Sequence, residues 1–238
     1  MPSTIPLAEA ETSLLAARDL AAGYHGHPVV EGVNLEVAAG EVLVLLGPNG
    51  AGKTTTLRAL AGELAPIAGE VLINGIATRS PLDRRARGGL AFVPEERGVY
   101  NKLTVHENLK VGRCAVDRAL ELFPELKPLL KRAAGLCSGG EQQMLALAKA
   151  LARSPKCLLA DELSLGLAPR VVVRLLDAVR SAADAQGLGV VLVEQHVSKA
   201  LAVADRVHVM RRGRIVLEGQ ASEFTDRADE LQALYLAR

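Results

Sequence analysis

The octet Gly47-Pro48-Asn49-Gly50-Ala51-Gly52-Lys53-Thr54 limits this chain more than any other feature. It fits G-x-x-x-x-G-K-[ST], and its flanks fit as well. Residues 41–46 before it read as a compact buried strand, and residues 53–64 carry Leu57, Leu60 and Leu64 at helical spacing. A strand, a glycine-rich turn and a helix in that order make a phosphate cradle. Gly47, Gly50 and Gly52, with Asn49 and Ala51 between them, let the backbone curl so that successive N–H groups point at phosphate oxygens. The helix adds its positive N-terminal end. In such a cradle Lys53 neutralises the β- and γ-phosphates, the Thr54 hydroxyl ligates Mg²⁺ and Thr55 adds a phosphate contact.

A second segment supplies the chemistry that a bound triphosphate needs. Cys157-Leu158-Leu159-Ala160-Asp161-Glu162 is an apolar strand ending in two carboxylates. Asp161, at the strand's carboxyl end, is placed to hold Mg²⁺ through its water shell. Glu162 can orient and deprotonate an attacking water. Two acids after a strand are also a common surface cap; the phosphate loop is what turns this pair towards hydrolysis.

The rest of the chain alternates strands and helices, the pattern of a mainly parallel sheet with covered faces. Residues 14–37 read as short strands broken at Gly23, Gly26 and Gly32. Residues 71–74, 90–93 and 189–193 read as further strands, and 207–210 with 214–217 as a closing hairpin around Arg212-Gly213. Residues 104–135 turn helical, broken at Pro124, and form an inserted helical subdomain. Two more helices follow, one from near Ser138 and one over 170–183.

With 238 residues the chain suits one substantial α/β domain. A net charge of +1 and few aromatics argue against a nucleic-acid partner. Residues 1–10 lack the basic start and apolar run of a signal peptide. No apolar stretch approaches the ~20 residues of a membrane span. Three cysteines without a CxxC pair suggest a reducing compartment and no structural metal. A soluble chain is expected, with any membrane role reached through a partner.

Leu136-Cys137-Ser138-Gly139-Gly140-Glu141-Gln142-Gln143 opens a helix and makes a second anion-binding end. A Ser N-cap with a flexible lead-in is the plainer reading. With the phosphate loop before it and the paired carboxylates after it, the segment resembles the signature of the ATP-binding-cassette (ABC) ATPases, over residues 15–220. The resemblance implies an α/β P-loop NTPase fold of ABC type: a mainly parallel core sheet, an antiparallel N-terminal β-subdomain and an inserted α-helical subdomain. It places one domain over 1–238, with 13–103 and 155–238 as catalytic core and β-subdomain, and 104–154 as helical signature subdomain.

The resemblance also implies partners and roles. Two cassettes pair head to tail, so Ser138, Gly139, Gly140 and Glu141 serve ATP held by the opposite subunit's loop. Tyr24 stacks on adenine, and Glu95 lies near Mg²⁺ and reports nucleotide state. Ser164-Leu165-Gly166-Leu167-Ala168-Pro169 crosses the dimer interface, and the region after Pro94 receives a membrane subunit. Val93-Pro94-Glu95, Glu107-Asn108-Leu109, Glu141 to Leu145 and Val193-Glu194-Gln195 resemble the LivF-type ATPases, which energise uptake of branched-chain amino acids and related amides. Such systems join a second ATPase, as homo- or heterodimer, to two permease subunits and an extracytoplasmic binding protein, at the cytoplasmic face of the membrane.

Two departures bear on catalysis. Leu163 follows Glu162 where the family has Pro, and is expected to loosen the aim of the carboxylate. Gln195, not His196, occupies the position of the switch histidine; an amide can donate to a γ-phosphate oxygen but cannot carry a charge, so the catalytic candidates here are Gln195 itself or His196 swinging in from the next position. The alternatives to a transport ATPase are a soluble cassette acting on ribosomes or DNA, and a weakly hydrolysing regulatory partner.

Overall fold

Five valines and leucines, Val42–Leu46, form strand β3, and every one of them is buried. Such a run, without polar alternation, belongs in the middle of a sheet covered on both faces. The computed structural model, which describes residues 13–224, puts it there. The central sheet has six strands in the order β10-β9-β3-β8-β7-β6. Here β6 is Leu90–Val93, β7 is Cys157–Asp161, β8 is Gly189–Glu194, β9 is Arg206–Arg211 and β10 is Arg214–Gln220. All neighbours run parallel except β9 and β10, which form the expected hairpin. Residues 1–10, and with them the reading of the amino terminus, lie outside the described residues.

A second, antiparallel sheet has the order β2-β1-β4-β5. It corrects the reading of short broken strands over 14–37. Instead β1 (Leu15–Tyr24) and β2 (His27–Val37) run ten and eleven residues and part only at the two-residue turn His25-Gly26. Gly23 and Gly32 stay inside the strands because slips in the pairing register absorb their irregularity. Strand β4 (Ala68–Ile73) pairs with the other edge of β1, and β5 (Ile76–Thr78) adds a short fourth strand that the sequence did not reveal.

Helix α1 (Lys53–Ala61) joins β3 to this second sheet. It stops three residues before Leu64 because Gly62 turns left-handed, φ 82°, and its N–H caps the Ala59 carbonyl. Helix α2 (Leu82–Arg87) follows β5 and delivers Arg85, buried, whose guanidinium donates to the carbonyls of Ala59 and Leu60. A cation at the carboxyl end of α1 is favoured by the helix dipole.

Between β6 and β7 the chain leaves the sheet and builds a helical lobe. It contains α3 (Val105–Val111), α4 (Val116–Leu122), a 3₁₀ stretch at Pro124–Leu129 and α5 (Gly139–Leu151). The two prolines make that stretch 3₁₀ rather than α. Leu109, Phe123, Leu126, Leu145 and Leu147 close the lobe's core and join the apolar layer on one face of the large sheet. Helix α6 (Pro169–Gln186) packs in the same layer through Val172, Leu175 and Val179, and short helices α7 (Val197–Leu201) and α8 (Ala221–Phe224) finish it. The opposite face of the sheet packs Leu43, Leu45 and Leu159 against α1 and the antiparallel sheet.

Candidate functional site

The glycine-rich octet is the turn between β3 and α1, at the carboxyl end of the large sheet. Gly52 enters the helix at φ 104°, and a Cβ there would lie 2.3 Å from Val30 Cγ1, so no other residue fits. The turn opens on a cavity of about 350 Å³. Residues 49–55 form one wall, with Glu95, Glu162 and Gln195 across from them. Lys53 is buried, and its ammonium donates to the loop's own carbonyls, Gly47 at 2.7 Å and Pro48 at 3.1 Å. Glu162 Oε1 lies 4.0 Å from the same nitrogen. Burial pulls the Lys53 pKa down from its ordinary value, and the carboxylates, Glu162 foremost, pull it back.

Asp161 closes β7 and is buried. Burial lifts its pKa to about 6, against a hydrogen bond from the Thr54 hydroxyl. Its Oδ1 is buried without a donor. Leaving such an oxygen unpaired is expensive, and a divalent cation or its water shell beside Thr54 is a partner of the right chemistry. Glu95 is exposed across the cavity. Among the described residues no group of three His, Cys, Asp or Glu could hold a metal alone. A cation here would have to complete its shell from the oxygens of a bound ligand and from water.

Glu162 sits in the left-handed region, φ 50°. Such a conformation costs a non-glycine residue about 1 kcal/mol or more. Its amide donates to Val193 O at 3.0 Å, and Gln195 Nε2 donates to its Oε1 at 2.6 Å. Gln195 therefore reaches the carboxylate, whereas His196 is exposed at the start of α7. Leu163 follows the carboxylate. Its side chain is 1% exposed within the apolar layer and anchors the segment by burial. Two residues past Glu162, Ser164 bonds the buried carboxylate of Glu194. Sequence reasoning assigned Glu194 no part in the site. The signal was there: a carboxylate closing an otherwise apolar strand.

Ser138 caps α5. Its hydroxyl accepts from the Glu141 amide at 3.3 Å, and the Glu141 carboxylate accepts from the Ser138 amide at 2.6 Å. The reciprocal pair is a capping box; it engages the Glu141 carboxylate locally. Gly139 and Gly140 pack beside Arg97 and Val171. None of the four lines the phosphate-loop cavity. Tyr24, 40% exposed at the end of β1, lies outside that cavity too.

A phosphate loop, paired carboxylates at a neighbouring strand's end and a capped glycine pair on a separate helical lobe define an ATP-hydrolysing cassette. The family model described as ABC transporter matches residues 30–164, and the chain belongs to the ABC transporter family as an ATP-binding, ATP-hydrolysing subunit. The high-affinity branched-chain amino acid transport ATP-binding protein BraG of Pseudomonas aeruginosa is 40% identical, over 84% of this chain and 90% of that protein. The lipopolysaccharide export system ATP-binding protein LptB of Escherichia coli is 34% identical, over 93% of this chain and 96% of its own length. A solved structure of the ATP-binding subunit of an ABC transporter superposes with a TM-score of 0.81 at 27% identity, covering 94% of this chain and all of that one.

Proposed function

We propose that this chain drives solute uptake by hydrolysing ATP at an interface with a second ABC ATPase, and that the solute is a branched-chain amino acid or a related amide. The observation that carries the hydrolytic part is the fixed Glu162 carboxylate, facing the phosphate cavity between Lys53 and Gln195. Residues 47–55 cradle the triphosphate. Lys53 offsets its negative charge, and Thr54 and Asp161, with Glu95 as a further candidate, would hold Mg²⁺. Mg²⁺ would supply charge neutralisation to the triphosphate. Glu162 accepts a proton from the attacking water, and Gln195 donates to a γ-phosphate oxygen. Tyr24 stacks on the base.

The second half of the site comes from a partner. Ser138, Gly139 and Gly140 present a helix N-terminus that serves the opposite chain's nucleotide. Their absence from the lining of this chain's own loop cavity supports that reading. Elsewhere on the molecule, a cleft of about 450 Å³ runs between β6 and α5, edged by Arg87, Arg97, Lys149 and Arg153. It offers the permease subunits a docking groove at the cytoplasmic face. No helix among the described residues is long and apolar enough to cross a membrane, which fits a peripheral subunit.

The solute rests on likeness to BraG, and the LptB likeness keeps export as the competing direction. ATPase assay of the full chain tests the chemistry. Glu162→Gln is expected to lower turnover at least about a hundredfold with ATP still bound; unchanged turnover removes Glu162 from the mechanism. Detergent extraction of membranes tests the assembly. Two multi-span permeases and a second ATPase should co-purify, and recovery of ribosomes instead overturns the transport reading.

A further inference from the structure

We propose that Glu194 is a positioning residue of the hydrolytic site, its carboxylate clamping Ser164 and so holding Glu162 on target. The inference rests on the reading of Glu162 as the base. Glu194 closes β8 in the middle of the sheet. Its backbone pairs with Leu46, the last strand residue before the phosphate loop, and Val193 beside it pairs with Asp161. The side chain is 1% exposed. Ser164 N–H donates to Oε1 at 3.1 Å and the Ser164 hydroxyl donates to Oε2 at 2.5 Å. One carboxylate thus fixes both the backbone and the side chain of one residue. Gln195, next along, fixes Glu162 Oε1 at 2.6 Å.

These bonds close a ring. Glu162 bonds Gln195, Gln195 follows Glu194, Glu194 bonds Ser164, and Ser164 lies two residues past Glu162. The ring encloses a left-handed residue that relaxes unless it is over-determined. It also does what a proline at 163 would do, limiting the backbone just after the base. A carboxylate is a poor choice for mere stability here. Burial pushes its pKa up, the Ser164 bonds notwithstanding, and an apolar strand end would escape that cost. What the carboxylate adds is two acceptors on one rigid plane.

The test is steady-state kinetics of the full chain with Mg-ATP. Glu194→Ala is expected to lower kcat about tenfold or more while KM for ATP stays within about twofold, as for loss of aim and not of binding. Ser164→Ala, a change that adds no bulk, should lower kcat about threefold, and the double variant should be no worse than Glu194→Ala alone. Glu194→Gln keeps one of the two acceptors, leaves Ser164 a polar partner and should recover part of the loss; a loss as deep as that of Glu194→Ala overturns the clamp. Unchanged kcat in Ser164→Ala, losses that multiply in the double variant, or a loss confined to KM each overturn the clamp. If Glu194→Ala does not fold, Ser164→Ala and Glu194→Gln still decide. If Glu162→Gln itself leaves turnover intact, it is the reading of the base that has failed, not the clamp.

Discussion

Burial at His208 has a consequence for acid stability. The imidazole is 3% exposed, its Nδ1 has no partner, and Glu218 lies 3.5 Å from Nε2. Burial first, then Arg206, lowers its pKa to about 4, against the pull of Glu218. An unfolded chain takes up this proton near the ordinary value of about 6.5, before the folded chain does. The stability tied to neutral His208 is therefore complete above about pH 6.5 and is lost as pH falls towards about 4, some 2–3 kcal/mol by pH 4.5. Urea midpoints at pH 7 and pH 4.5 should show His208→Leu losing less on acidification than the parent; equal losses rule this account out. Lys53 lends itself to another test at this scale. Lys53→Ala should abolish ATP binding measured by fluorescent-nucleotide titration, because no other cation lines the cavity among the described residues.

Helix α3 begins as α5 does, with a reciprocal cap. The Thr104 hydroxyl accepts from the Glu107 amide at 3.1 Å, and Glu107 accepts from Thr104 N–H at 2.8 Å. Thr104→Ala should cost about 1 kcal/mol, read as a lower urea midpoint at unchanged slope. Elements of this kind, whose signals sit inside one short stretch, are legible in the sequence. Strand β6 matches its expected bounds, and the loop between β3 and α1 lies where the motif put it. Where signals are non-local the reading failed. Strand β5 has three residues and gains its identity only by pairing with β4, and α2 has too few apolar residues to show a period. Gly23 and Gly32 looked like breaks because pairing on both edges of β1 cannot be seen from composition. The site divides the same way. Loop and carboxylates are contiguous motifs, whereas Glu194 meets Ser164 across thirty residues, and only folding brings them together.

At the scale of the whole molecule, the capped glycines of α5 do not line the cavity on which the phosphate loop opens. On the proposed head-to-tail pairing, Ser138→Arg should leave this chain's ATP affinity unchanged and still stop turnover, since the bulk and charge would then fall on the partner's nucleotide. Equal loss of binding and turnover would mean that both halves act within one chain. The helical lobe adds a different consequence. It leaves the sheet after β6 and returns at β7, and these are adjacent strands at one edge, paired from Leu90 opposite Cys157. Everything between them hangs from a single socket. If the lobe carries the permease contact proposed above, a chimera that exchanges residues 105–151 for those of another cassette, keeping the glycine pair, should change the membrane proteins that co-purify and leave Lys53, Glu95 and Glu162 in place. The lobe cannot be pruned to a tight turn, since parallel neighbours need a crossover of about a dozen residues or more. The connection can be exchanged or shortened, but the two strands cannot be joined without one.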